Sequence, residues 1–277
     1  MSKPLSVVLL GFLLSLRGLS IAAETRPSAA NLLAQVQATY DKMQSYLSVG
    51  DVTEKISVPT FGPQEAHYSF SIKLARPNLY RIEWEQHAAY MTSSGTAWSA
   101  GDGNFVTVPY KTSPVKAQDM ATAFSMATGV SGTAAATVPS IFFGLKGDSL
   151  RGFTDGTFGP DAEVQGDPCY VISVKTETIG ETLWISKKSK LLRQERTDIN
   201  GAIKIPQMTD EDVKKALQSM GQTPTAEAIK QMKAQMAAMR AVTSGATGFF
   251  IQTQRQIVLN ASLHKADFTP PTVPASK

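Results

Sequence analysis

The spacing of apolar residues changes several times along the chain, and each change marks an element. Residues 28–47 place Leu32, Leu33, Val36, Tyr40, Met43 and Leu47 three or four apart. That spacing predicts an amphipathic helix, with Pro27 and Ser28 as its start signal. The period then drops to two. Phe70, Ile72 and Leu74 alternate with Ser69, Ser71 and Lys73, and Tyr80, Ile82 and Trp84 alternate with Arg81, Glu83 and Glu85. These read as antiparallel strands with one apolar and one wet face. Arg76-Pro77-Asn78 interrupts the ladder between them, and Ser94-Gly95 and Gly101-Asp102-Gly103-Asn104 are expected to be the next turns. From Lys116 to Leu145 an Ala/Thr-rich stretch carries Met120, Phe124 and Met126, then Val138, Ile141, Phe142, Phe143 and Leu145. It predicts two short helices or turns joined by Gly129 to Gly132. Strand patterns resume at Tyr170/Ile172/Val174, at Leu183/Ile185 and over residues 190–199, with Lys187-Lys188-Ser189-Lys190 as a solvated hairpin turn.

Asn200-Gly201 is a strong hairpin signal, yet residues 207–241 are helical in pattern. Thr209 can cap a first helix with Asp212 three residues on, Val213, Leu217 and Met220 form its stripe, and Gly221 ends it. Pro224 opens a second helix with Ile229, Met232, Met236 and Met239 on one face. Thr247 to Leu259 is again strand-like, and Pro270-Pro271 begins a tail. The simplest organisation is a single domain over residues 23–277, with a helical hairpin inserted at about 205–246 into the loop of a β-hairpin.

The N-terminus has a different character. Lys3 is followed by the apolar run Leu5 to Leu16, and Ser20 and Ala22 are small residues at the −3 and −1 positions of a cleavage site. This is the pattern of a secretory signal peptide covering residues 1–22. The run falls short of the roughly 20 apolar residues needed to span a bilayer, and no cysteine follows the cleavage site to carry an acyl anchor. No later stretch is long and apolar enough for a membrane helix. An exported, periplasmic, soluble monomer without a transmembrane segment after signal removal is expected.

Of the 277 residues 42% are hydrophobic, enough for a substantial core. The 27 basic and 23 acidic residues leave a net charge of +4. Lys3 and Arg17 lie in the signal, so the remainder, 25 basic against 23 acidic, carries +2 and offers no footprint for nucleic acid. One cysteine, Cys169, and three scattered histidines, His67, His87 and His264, argue against a disulfide framework or a metal cluster. No cofactor is implied. Ser113-Pro114-Val115-Lys116 spells SxxK but lacks the SDN and KTG elements that accompany it in penicillin-binding enzymes. Cys169 at a strand start reads as a half-buried bystander. The chain is therefore read as a non-enzyme. The Met-rich stripe at Ile229, Met232 and Met236 is either ordinary packing or an adaptable apolar binding surface.

Arg76-Pro77-Asn78-Leu79-Tyr80, then Trp84, then Ser94-Gly95-Thr96-Ala97-Trp98, resembles the "RPNxF…W…DGxxxW" stretch of the LolA/LolB lipoprotein localization factors. Ala266-Asp267-Phe268-Thr269-Pro270-Pro271 resembles that superfamily's terminal "FxFTPP". The likeness covers most of residues 28–272 apart from the insert, and Ser94-Gly95 stands where the family has Asp-Gly. The resemblance implies an α+β fold: an incomplete antiparallel β-barrel, or half-barrel, with helices covering the concave face. It implies a cavity for lipid or lipoprotein acyl chains, with membrane donor and acceptor proteins as partners. It gives Arg76 the role of a latch on the lid helices. Candidates to line the cavity are Phe70, Ile72, Tyr80, Ile82, Trp84, Trp98, Met232 and Met236. The alternative is an envelope-stress sensor or protein-interaction module similar to RseB, although RseB-like proteins carry a second domain for which the remaining chain is too short.

Overall fold

The computed structural model describes residues 26–88, 91–107, 113–145, 150, 156–175, 180–200, 207–220 and 222–270. The expected signal segment and cleavage site lie outside these, as do Gly201, Gly221 and Pro271.

Helix α1 spans Ala29–Asp41, and Ser28 caps it by accepting from the Asn31 amide at 3.2 Å. It is shorter than its apolar spacing suggests, because Met43 and Leu47 lie beyond its end. The backbone there is taken up by the sheet. The Gln44 amide donates to Asn260 Oδ1 (2.9 Å), the Arg76 amide donates to the Gln44 carbonyl (3.0 Å), and strand β1 runs from Ser45 to Val58. There follow β2 (Gly62–Ala75), β3 (Leu79–Ala88), β4 (Met91–Ser99), β5 (Asn104–Val106) and β6 (Val115–Ala117). Helices α2 (Met120–Thr128) and α3 (Thr137–Phe143) come next, then β7 (Gly156–Phe158), β8 (Ala162–Val164), β9 (Asp167–Lys175), β10 (Gly180–Ser186) and β11 (Leu192–Asn200). Helices α4 (Asp210–Ser219) and α5 (Ala226–Thr243) precede β12 (Thr247–Leu259), and a short 3-10 turn covers Lys265–Phe268.

Among the described residues the strands form one antiparallel sheet in the order β6-β5-β4-β3-β2-β1-β12-β11-β10-β9-β7, with β8 also on β9. The path begins and ends on different strands, so the barrel is incomplete. One face is covered: α1, α2 and α3 bury Leu32, Val36, Tyr40, Phe124, Val138, Ile141 and Phe142 in one core with the alternate residues of the strands beneath. The fold is the α+β half-barrel with a helical cover.

Ser94-Gly95 is not a turn; both residues lie inside β4. Gly95 is opposite Trp84, and a Cβ at Gly95 would overlap the Trp84 ring. Gly50 does the same for Phe70 in β1. Here glycine makes room for an aromatic ring laid across the neighbouring strand.

The helices α4 and α5 lie in sequence between β11 and β12, which pair from Asn200↔Thr247 to Gln194↔Thr253. Thr209 and Asp212 form a reciprocal capping box, and Thr225 caps α5. The hairpin has its own apolar cluster of Val213, Leu217 and Ile229, separate from the main core.

Candidate functional site: the covered face and its cover

Register places the covered-face residues in rows across the sheet. Tyr80 lies opposite Leu74 and Ser99, Ile82 opposite Ile72 and Ala97, and Trp84 opposite Phe70 and Gly95. Phe70, Ile72, Tyr80, Ile82 and Trp84 are all buried under the helices. Tyr80 makes an edge contact with Phe124 of α2, ring centroids 4.8 Å apart, and another with Phe143 of α3 at 6.4 Å. Its hydroxyl donates to Asn104 Oδ1 at 3.0 Å. The apolar row is the floor of a packed layer roofed by α2 and α3.

Arg76 sits at the end of β2, where the strand leaves the sheet. Its Nε donates to the Met43 carbonyl (3.0 Å), and one terminal nitrogen donates to the carbonyls of Tyr40 (3.3 Å) and Phe142 (2.6 Å). The guanidinium also lies 4.8 Å from the centroid of the Phe142 ring. The Tyr40 and Phe142 carbonyls belong to the last turns of α1 and α3, where the helix ends leave carbonyls exposed, and Met43 lies between α1 and β1. One side chain therefore ties both helices to the sheet. Gln37 of α1 joins the two helices to each other, donating from Nε2 to the Ile141 carbonyl of α3 at 3.0 Å.

Three expected cavity residues lie elsewhere. Trp98 is on the outer face: Ala97 takes the covered position opposite Ile82, so Trp98, opposite Arg81, alternates outward and stacks on Phe105 at 5.4 Å. Arg81, on the same face, donates to the Thr269 carbonyl at 2.7 Å, which seats the Phe-Thr-Pro tail. Met232 packs on the cluster between α4 and α5, and Met236 lines a small groove beside Gln207 and Met208. Met232 and Met236 thus lie with the helical hairpin, whose apolar cluster is separate from the main core.

The covered face also carries polar residues that the sequence reading passed over. Across β1 to β4, the Tyr68 hydroxyl donates to Glu54 Oε2 (2.7 Å), Gln86 Nε2 donates to the Tyr68 hydroxyl (3.0 Å), and the Ser93 hydroxyl donates to Gln86 Oε1 (2.8 Å). Burial raises the Glu54 carboxyl against the lowering effect of Tyr68. Further round the sheet, Glu195 of β11 lies opposite Gln252 of β12. The Thr137 hydroxyl donates to Glu195 Oε1 at 2.9 Å, and the Thr133 hydroxyl donates to Gln252 Oε1 at 3.2 Å. Burial, then the charge of Glu181, push the Glu195 carboxyl up to about 8. The signal for these residues was the shared parity of Phe250, Gln252 and Gln254, which puts both glutamines on one face with a phenylalanine.

A groove of about 770 Å³ lies over β1 to β4, walled by outer-face residues including Asp51, Ser71, Glu83 and Arg255. Of its charged residues, Arg255 pairs with Asp51, and Glu83 pairs with Arg81 and accepts from the Ser71 hydroxyl. Cys169 is buried, and burial followed by the charge of Asp167 raises its thiol to about 11, which leaves no thiolate at neutral pH. No helix among the described residues is long and apolar enough to cross a membrane, and none of them gathers three or more His, Cys, Asp or Glu side chains in a metal-holding group.

No family model and no curated protein matches the chain. Solved structures do resemble it. A LolA superfamily protein of Nitrosomonas europaea aligns over 90% of this chain and 100% of its own, at 11% identity and a TM-score of 0.32. LprF of Mycobacterium bovis aligns over 89% and 98%, at 9% identity and a TM-score of 0.43. The MucA/MucB complex of Pseudomonas aeruginosa aligns over 88% of this chain and 61% of that one, at 9% identity and a TM-score of 0.40. The overlaps are slight; what this chain has for itself is an open antiparallel sheet whose apolar face is roofed by helices tied down through Arg76.

Proposed function

We propose that this protein is an exported, periplasmic binding protein that takes acyl chains or another hydrophobic ligand between the sheet and its helical cover, as a lipid or lipoprotein carrier. The observation that supports this reading most is the nature of the tie. Helices α2 and α3 pair with no strand through a backbone ladder; α3 is held by carbonyls that accept from the Arg76 and Gln37 side chains. Lifting the cover breaks these side-chain bonds and the apolar packing of Phe124, Ile141 and Phe142, leaves the backbone ladders of the sheet intact, and uncovers the row from Phe70 to Trp84. Each acyl methylene moved from water onto that row contributes about 0.8 kcal/mol. Chains of lipid length then bind tightly with few directed contacts, and release to an acceptor needs only that the cover close again.

The test is binding of an anilinonaphthalene dye to the folded protein, with competition by acyl-bearing lipids and by their water-soluble head groups. Acyl lipids should displace the dye and head groups should not. Dye that binds only once the protein is partly denatured would speak for a permanently packed interior.

A further inference from the structure

The covered face is not uniformly apolar, and beside the paired polar group around Tyr68 it carries a second one on β11 and β12. Glu195, Gln252 and Gln254 are 6%, 2% and 1% exposed, and they occupy adjacent covered-face positions on β11 and β12. Among the described residues Glu195 Oε2, Gln252 Nε2 and both side-chain polar atoms of Gln254 have no hydrogen-bond partner. Buried amides and carboxyls without partners are costly, and a packed core keeps few of them. Here three stand together, beside Gly50, whose missing side chain gives way to Phe70.

Among the described residues, the partners these side chains have in the cover are two hydroxyls, Thr137 on Glu195 Oε1 and Thr133 on Gln252 Oε1. Thr133 adopts φ 80, a left-handed backbone conformation that is a genuine outlier for a β-branched residue. The segment that delivers its hydroxyl to Gln252 is therefore held in a strained form while the cover is closed.

We infer that Glu195, Gln252 and Gln254 form a polar subsite within the ligand-binding face, that the hydroxyls of Thr133 and Thr137 occupy it when the cover is shut, and that it selects acyl ligands bearing a hydroxyl or amide over plain hydrocarbon chains. The inference rests on the acyl-binding reading above. A ligand hydroxyl or amide N–H takes the place of the threonine hydroxyls on Gln252 Oε1 and Glu195. The amide groups of Gln252 and Gln254 donate to the ligand oxygen. Opening the cover exchanges two hydroxyl contacts for equivalent ones from the ligand, and it relieves the backbone at Thr133. At neutral pH the Glu195 carboxyl is mostly protonated, so the subsite presents donors and acceptors and suits a neutral polar group.

The experiment compares mid-chain hydroxystearic acid with stearic acid, which carry the same carboxylate and chain length, as competitors of the bound dye. The wild type should bind the hydroxylated chain about tenfold more tightly, equivalent to about 1.4 kcal/mol. In Gln252→Leu/Gln254→Leu the preference should fall to unity while stearic acid still binds. Equal affinity of the wild type for both acids overturns the subsite and leaves acyl binding standing, and a preference undiminished in the variant overturns it too. If neither acid binds, the acyl reading fails and takes the subsite with it. Should the double variant not fold, the wild-type pair of measurements decides the matter, with Gln254→Met as the milder second variant.

Discussion

Replacing Arg76 by Leu should loosen the cover without dismantling the sheet. Two of its three acceptors, Met43 and Tyr40, lie at the α1–β1 corner close to Arg76 itself, so they stay in place when α3 moves. The bond that crosses to α3 is the one to Phe142, at 2.6 Å, joined by the guanidinium–ring contact at 4.8 Å. A hydrogen bond from a charged donor is worth about 1.5–3 kcal/mol, and the ring contact adds about 0.5–1 kcal/mol. Their loss, roughly 2–4 kcal/mol, shifts the balance toward the open form by roughly 30- to 1000-fold. The amides of Ser140, Gly144 and Leu145, bonded within and just after α3, report that balance through hydrogen exchange. They should exchange faster by that factor in Arg76→Leu, and the empty protein should bind more dye while its unfolding stays cooperative. Arg76→Lys keeps a charge but not the fork, and should fall between. If both variants exchange and bind dye as the wild type does, Arg76 is a solvated strand-end residue. If dye binding rises only as cooperative unfolding disappears, Arg76 is part of the packing and not a latch.

Glu195→Gln should flatten the pH dependence of stability. The folded carboxyl titrates at about 8, above its ordinary value, so the folded state holds the extra proton and stability falls as pH rises through that interval, by at most about 1.4 kcal/mol per pH unit. Urea unfolding of the two proteins between mildly acidic and mildly alkaline pH should converge at the acid end and diverge at the alkaline end, with the variant more stable; parallel curves would contradict a neutral buried Glu195. Gly95→Ala should cost about 1–3 kcal/mol by forcing the Trp84 ring aside, visible as a lower melting temperature and altered tryptophan fluorescence. Replacing residues 207–241 by a short Gly-rich turn should preserve cooperative melting, since the apolar cluster of α4 and α5 is separate from the main core; loss of cooperativity would make the insert part of the core.

Much of the covered face was legible because β2 and β3 alternate without interruption. Phe70, Ile72, Tyr80, Ile82 and Trp84 share one parity, and the structure puts them on one face. Trp98 followed the same rule in the opposite sense, since Ala97 holds the covered position and sends it outward. What defeated the reading was chemistry that alternation does not encode. Strand β1 places Tyr46, Ser48, Gly50, Val52 and Glu54 on the covered side, too mixed to register as an amphipathic strand. Gly95 looked like a turn because its reason for being glycine, the Trp84 ring, lies on another strand. The partners of Arg76 are main-chain carbonyls, which any sequence supplies, and Met232 could be told from a cavity residue only once it was seen packed on the separate apolar cluster of α4 and α5.

The central claim is that an acyl ligand binds between the sheet and its helical cover. Mass spectrometry of the protein purified from its native cells under native conditions, before and after organic extraction, tests it most directly. The account predicts a population heavier than the bare mature chain by the mass of an acyl-bearing lipid, lost on extraction and restored by added lipid, and enriched in hydroxyl- or amide-bearing species. A single species at the bare mass, unchanged after incubation with lipid vesicles, would contradict it.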